Sequence, residues 1–169
     1  MHPTLTGLSS TIRFREDVRE TDPDAVRGIV ASAGFFYDHE VKVAVQLVND
    51  RLAEGTASGY HFLFADAEGQ AIGYSCYGEI PCTVGSFDLY WIAVLQGRRG
   101  KGVGRAILLE TERKIASLGG RRVYAETSSR ELYQPTRSFY ERCGYIAEAR
   151  LEAFYAPGDD KIVYVKPLA

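Results

Sequence analysis

The segment Arg98-Arg99-Gly100-Lys101-Gly102-Val103-Gly104-Arg105-Ala106 joins an apolar run, Phe87 to Val94, to an amphipathic stretch, Ile107 to Leu118. The first reads as a buried strand and the second as a helix, so three alternating glycines stand where a strand turns into a helix. Glycine allows positive φ and close approach of the backbone to a ligand. The N–H groups at a helix start lack intrahelical partners, and the positive end of the helix dipole lies behind them. Such a segment binds anions, phosphate above all. Four basic residues, Arg98, Arg99, Lys101 and Arg105, flank it. The expectation is a site for a phosphorylated cofactor.

Spacing excludes two common phosphate loops. In the P-loop register, Leu95 stands where a glycine is required, and Gly102 stands where Ser or Thr must follow the lysine. The dinucleotide pattern Gly-x-Gly-x-x-Gly/Ala ends on Arg105 or on Ile107, depending on its start, and fails both times. What fits is Arg99-x-x-Gly102-x-Gly104. A second block lies downstream of another apolar strand, Arg122 to Thr127: Pro135-Thr136-Arg137-Ser138-Phe139-Tyr140-Glu141-Arg142-Cys143-Gly144-Tyr145. The first motif resembles the acetyl-CoA loop of the GNAT superfamily of N-acetyltransferases, (Gln/Arg)-x-x-Gly-x-(Gly/Ala). The second resembles that family's helix carrying Phe-Tyr-x-x-x-Gly-(Phe/Tyr). The resemblance runs from Phe87 to Tyr145. It departs at Tyr133, where many members carry Asn, and at Gln96, where proline often follows the strand.

Composition agrees with an ordinary globular protein. The 169 residues fit one domain over 1–169, with residues 1–10 expected to be flexible. Apolar residues make up 46% and charged residues 25%; 20 basic against 22 acidic residues leave a net charge of −2, with no broad basic surface for nucleic acid. No apolar run has the length of a membrane helix, and the polar N-terminus is not read as a secretion signal. Cys76, Cys82 and Cys143 have no metal spacing and read as reduced thiols of a cytoplasmic protein. His2, His39 and His61 are scattered, so no metal is expected.

Along the chain the pattern predicts a first strand at Ile12 to Val18 and a helix from Thr21-Asp22-Pro23 to about Ala33. A second helix is expected from His39 to Glu54, with Val41, Val45, Val48 and Leu52 on one face. Strands at Gly59 to Ala65 and Ala71 to Tyr77 are joined by the turn Asp66-Ala67-Glu68-Gly69. After the central strand, helix and strand, a fourth helix runs from Pro135 to Gly144. A last hairpin, Tyr145 to Phe154 and Lys161 to Val165, turns at Pro157-Gly158-Asp159-Asp160. The order β-α-α-β-β-β-α-β-α-β-β matches the architecture that the resemblance implies: an α/β mixed sheet, mostly antiparallel, with two splayed parallel strands and about four helices.

The resemblance also implies a chemistry: direct transfer of an acetyl group from acetyl-CoA to an amine, without a covalent enzyme intermediate. By position, the backbone of Ile92, Ala93 and Val94 would meet the pantetheine arm and thioester. Arg99, Gly100, Lys101, Gly102, Val103, Gly104 and Arg105 would meet the pyrophosphate. Tyr140 aligns with the tyrosine that protonates the departing thiolate. At helical spacing Phe139 is the better core residue, which leaves Tyr140 facing the cleft. Arg137 or Gln134 would replace the contact made by the usual Asn. For the general base, Asp88 and Glu126 lie on the two strands expected to splay, with Glu126 ranked ahead; Glu79 is a third candidate, and ion pairs with residues such as Arg122 or Arg137 are the structural alternative. Phe35, Phe36, Tyr37, His39, Phe154 and Tyr155 are candidates for the acceptor pocket. The expected acceptor is a small or amino-acid-like amine. A protein lysine or N-terminus, a non-catalytic acyl-CoA-binding module, and a homodimer all remain compatible with the sequence.

Overall fold

The computed structural model describes residues 11–169; the expectation for residues 1–10, and His2 with it, lie outside the described residues. The elements follow the order β1 (Arg13–Arg15), α1 (Asp22–Ser32), α2 (Asp38–Glu54), β2 (His61–Ala67), β3 (Gln70–Glu79), β4 (Ser86–Val94), α3 (Val103–Ser117), β5 (Arg122–Ser128), α4 (Gln134–Arg142), β6 (Ile146–Ala156) and β7 (Asp159–Pro167). The strands form a seven-stranded mixed sheet of order β1-β2-β3-β4-β5-β7-β6. β4 and β5 are parallel; β1/β2, β5/β7 and β6/β7 are antiparallel. The described residues divide into two units. One holds the chain up to Ser75 with Ile92–Ile107, and the other holds Cys76–Trp91 with Leu108–Ala169.

In the first unit α1 and α2 pack on each other. They bury Val26, Ile29 and Val30 of α1 with Val41, Ala44, Val45 and Val48 of α2. Leu52, expected on that face, is 38% exposed in the last turn of α2. The rings of Phe62, Phe64 and Tyr74 stack with centroids 5.8–6.3 Å apart, and the Arg15 guanidinium lies 4.2 Å above Phe64. Arg15 also bonds Asp22 at 2.7 Å and Asp66 at 2.8 Å. That triad explains two departures from expectation. β1 shortens to three residues, and Asp66 lies in β2, opposite Arg13, rather than in the turn. The turn shrinks to Glu68-Gly69, both at positive φ (53° and 81°), the backbone that a two-residue hairpin requires.

In the second unit the inner face carries Phe87, Leu89, Val123 and Ala125, all buried. α3 stops before Gly119-Gly120, where a Cβ on Gly120 would collide with Ile115. α4 ends before Gly144, at φ +88°. The last turn is Pro157-Gly158; Asp159 and Asp160 belong to β7, buried and bonded. Asp159 accepts from Ser128 Oγ at 2.5 Å. Asp160 accepts from the Ala153 N–H at 2.8 Å.

Candidate active site

The glycine segment lies in the first unit. After β4 the Leu95 N–H donates to the Ile72 carbonyl, and the Gln96 N–H to Ser32 Oγ at 3.0 Å, which ties the turn to the end of α1. Gly100 and Gly102 sit at φ +72° and +80°, with open space where a Cβ would stand. α3 begins at Val103, four residues earlier than its apolar periodicity indicates. The Ala106 N–H reaches the Gly102 carbonyl at 3.0 Å. The N–H groups of Val103, Gly104 and Arg105 therefore precede this bond, at the positive end of the helix dipole. Lys101 and Arg105 are exposed beside them. This donor set fits a pyrophosphate.

Two of the four basic residues serve the protein. Arg98 pairs with Glu68 at 2.6 Å. Arg99 donates from Nε to the Val94 carbonyl at 3.2 Å, its guanidinium 5.8 Å from the Phe35 ring centroid. Val94 therefore already has its carbonyl engaged by a side chain, while Ile92 and Ala93 precede it on the same strand.

The carboxylates lie in the second unit. The β4/β5 ladder runs from Ser86↔Arg122 to Leu89↔Ala125 and stops, whereas β5 stays paired with β7 as far as Ser128↔Lys161. Asp88 lies opposite Tyr124, so Asp88 and Glu126 project from one face, where the parallel pairing ends. Lys161 Nζ is 2.7 Å from Glu126 Oε2 and 3.7 Å from the centroid of Phe154. Asp88 is half-buried. Loss of hydration raises its pKa above the ordinary 3.8, the Glu126 charge raises it further, and Lys161 opposes both. Glu79 sits exposed at the end of β3. Arg122 pairs with Glu148 at 3.7 Å, so the expected alternative of Arg122 or Arg137 pairing with the candidate carboxylates gives way to Lys161.

α4 reverses the expected burial of its two aromatics. Tyr140 is buried, 5% exposed, while Phe139 is half-exposed. Tyr140 packs against Tyr145 at 5.4 Å and Tyr164 at 5.6 Å. The inward apolar stripe of this nine-residue helix is narrow, and the tyrosines of β7 and the helix exit complete it. Burial pushes the Tyr140 hydroxyl well above its usual range, so it stays protonated at neutral pH. Arg137 donates to the carbonyls of Ser128 (2.7 Å) and Arg130 (2.8 Å) and to Gln134 Oε1 (2.8 Å). It ties the start of α4 to the end of β5. Tyr133 is buried, 5.3 Å from the Arg130 guanidinium.

Residues 58–147 match the family model described as an acetyltransferase (GNAT) domain. The chain belongs to the GNAT acetyltransferase family. Its fold superposes with a TM-score of 0.92 on a protein from Desulfovibrio desulfuricans assigned to the GNAT family; the two are 48% identical over 94% of this chain and 100% of the other. More distant structures share the fold. An aminoglycoside 6'-N-acetyltransferase complexed with coenzyme A has a TM-score of 0.71 and 17% identity, covering 93% of this chain and 96% of its own. The ribosomal-protein-S18-alanine N-acetyltransferase of Escherichia coli has a TM-score of 0.74 and 17% identity, covering 94% and 95%. No curated protein matches the chain.

For this GNAT acetyltransferase, sequence reasoning missed Lys161. Nothing in its neighbourhood, Gly158-Asp159-Asp160-Lys161, marks it as functional. Its partnership with Glu126 comes from the β5/β7 register, which no local pattern encodes. Among the described residues no helix is long and apolar enough to cross a membrane.

Proposed function

We propose that this protein is an acetyl-CoA-dependent N-acetyltransferase that passes the acetyl group directly to a small-molecule or amino-acid-like primary amine. The observation that carries this reading is the glycine loop opening onto the start of α3, with Gly100 and Gly102 at positive φ and the N–H groups of Val103–Arg105 ahead of the first helical bond. Acetyl-CoA supplies the acetyl group as an activated thioester. Arg99, Gly100, Lys101, Gly102, Val103, Gly104 and Arg105 are the proposed pyrophosphate segment, acting mainly through the backbone. Ile92, Ala93 and Val94 are the proposed strand contacts. Arg137 gives three of its five N–H donors to Ser128, Arg130 and Gln134, which hold it at the start of α4, and its remaining donors are a proposed contact to the cosubstrate.

An acceptor ammonium must lose a proton before it attacks; alkylamines resemble lysine, with a pKa of roughly 10.4. Asp88 is the proposed base. Its raised pKa brings it closer to the amine's, and a carboxylate is the better base for it. Glu126 is held by Lys161 and supports Asp88 electrostatically, which reverses the ranking drawn from sequence. Tyr140 Oη is the proposed acid toward the leaving sulfur. In this step the ammonium gives one proton to Asp88, and the neutral amine attacks the thioester carbonyl so that the N–C bond forms and the C–S bond breaks. The tyrosine proton goes to the departing thiolate, and the second nitrogen proton, released as the neutral amide forms, returns to the tyrosine oxygen. The free cysteines Cys76, Cys82 and Cys143 support a reducing, cytoplasmic setting.

Thermal unfolding with acetyl-CoA beside ATP tests the cosubstrate assignment. Acetyl-CoA is expected to raise the midpoint and ATP to leave it unchanged. The reverse would reassign the loop to a nucleotide.

A further inference from the structure

We infer that the acceptor carries a carboxylate beside its amine, as an amino acid does, and that Lys161 is the residue that selects it. The inference rests on the acetyltransferase reading above and narrows its acceptor.

The cluster is built from three strands of one unit. Asp88 and Glu126 share a face where the β4/β5 ladder ends. Lys161, opposite Ser128, reaches Glu126 at 2.7 Å and is only 12% exposed, whereas Glu126 is 46% exposed. β6 contributes the wall. Its ladder with β7 shifts between Leu151↔Lys161 and Ala156↔Asp159, and Ala153 adopts φ +49° there. Asp160 fixes that bulge by accepting the Ala153 N–H. The bulge re-aims the next residues. Phe154 lies 3.7 Å and Tyr155 6.0 Å from Lys161 Nζ, and both rings remain about half exposed.

Two carboxylates alone would suit any amine. A lysine paired with one of them changes the preference. An ammonium that approaches Glu126 also approaches the Lys161 charge bound to it, and like charges at that range repel. An acceptor with its own carboxylate converts that repulsion into a pair. Lysine has three N–H donors, enough to hold Glu126 and a second carboxylate together. The amine then faces Asp88 and Glu126, the carboxylate faces Lys161, and an apolar or aromatic side chain lies along Phe154 and Tyr155. A polycation such as an aminoglycoside meets the same repulsion with no anion to relieve it.

Matched acceptors test this directly: phenylalanine against phenethylamine, leucine against isopentylamine, and one aminoglycoside, each read by thiol release and by product mass. In the wild-type protein the amino acid is expected to exceed its decarboxylated partner in kcat/KM by about tenfold or more, the worth of a hydrogen bond to a charged group. Lys161→Met should bring that ratio to about one, and Lys161→Arg, which keeps the cation, should retain a preference. The inference is overturned if the wild type prefers the amines or the aminoglycoside, if it turns over neither member of any pair, or if Lys161→Met keeps the wild-type ratio. Should Lys161→Met not fold, the wild-type ratio decides alone. Turnover of amines without carboxylate preference removes this inference and leaves the acetyltransferase reading standing. Failure of acetyl-CoA to bind removes the reading itself.

Discussion

The loop before α3 and the cluster on β4, β5 and β7 offer a ligand opposite things. The loop offers backbone. Its glycines clear space, its N–H groups supply the donors, and two of its four basic side chains turn back to bind Glu68 and Val94. The cluster offers side chains. Asp88, Glu126 and Lys161 come from three strands, Glu126 and Lys161 act in opposite directions on the Asp88 carboxyl, and Phe154 is the wall. A backbone site tolerates changes of side chain and fails when its φ angles are lost. A side-chain site keeps its fold through substitution and loses its chemistry.

The largest effect is expected at Asp88. Asp88→Asn should lower kcat/KM at neutral pH by about 10²–10⁴-fold, the usual worth of a positioned base. Its effect on stability should have the opposite sign. Between 3.8 and its raised value the folded chain binds more protons at Asp88 than the unfolded chain does, so this group's contribution to stability falls as pH rises through that window. At pH 7 the ionised group is a cost, and Asp88→Asn removes it. Urea unfolding should find the variant more stable than wild type at pH 7, with the gain vanishing in acid. A variant that is slower and also less stable at pH 7 would make Asp88 a structural ion-pair partner instead.

Tyr140→Phe should lower kcat by about 10²-fold while acetyl-CoA affinity stays close to wild type. The ring keeps its packing against Tyr145 and Tyr164. An unaltered kcat, with chemistry shown to limit turnover, would reduce Tyr140 to packing.

Gly102→Val tests the backbone half of the comparison. A β-branched residue cannot hold φ +80° without strain. At one hundred times the wild-type dissociation constant, acetyl-CoA should stabilise wild type by about 2.7 kcal/mol and the variant by far less. A folded variant stabilised as much as wild type would move the pyrophosphate elsewhere.

The smallest effect is expected at Glu126. Glu126→Gln should change the rate plateau by less than about tenfold, because the pair with Lys161 is partly exposed. Removing its charge also removes one cause of the raised Asp88 pKa, so the acidic limb of the rate profile should move to lower pH. Movement to higher pH would contradict the coupling.

What the sequence revealed follows the same division. Strand, glycine loop and helix lie within one contiguous segment, so local pattern located the loop and the order of the eleven strands and helices among the described residues. It misplaced the start of α3 because Val103 and Gly104 carry no amphipathic signal. The Glu68-Gly69 turn was drawn too long because Asp66 looks like a turn residue until Arg15 claims it. Tyr140 and Phe139 exchanged places because tyrosines far along the chain, Tyr145 and Tyr164, complete the core under α4. Asp88 and Glu126 were legible as carboxylates on apolar strands. Which of them is tied to a cation was not, since Lys161 lies 35 residues away and meets Glu126 through strand register alone.

Free thiol and acetylated amine, quantified together in one reaction of wild-type protein with acetyl-CoA and a panel of small amines, test the central claim most directly. The account predicts thiol release that depends on the amine, equals the product formed, and falls sharply in Asp88→Asn. Tight acetyl-CoA binding with no amine-dependent thiol release from any acceptor, small molecule or peptide, would make this chain an acyl-CoA-binding module and contradict the account.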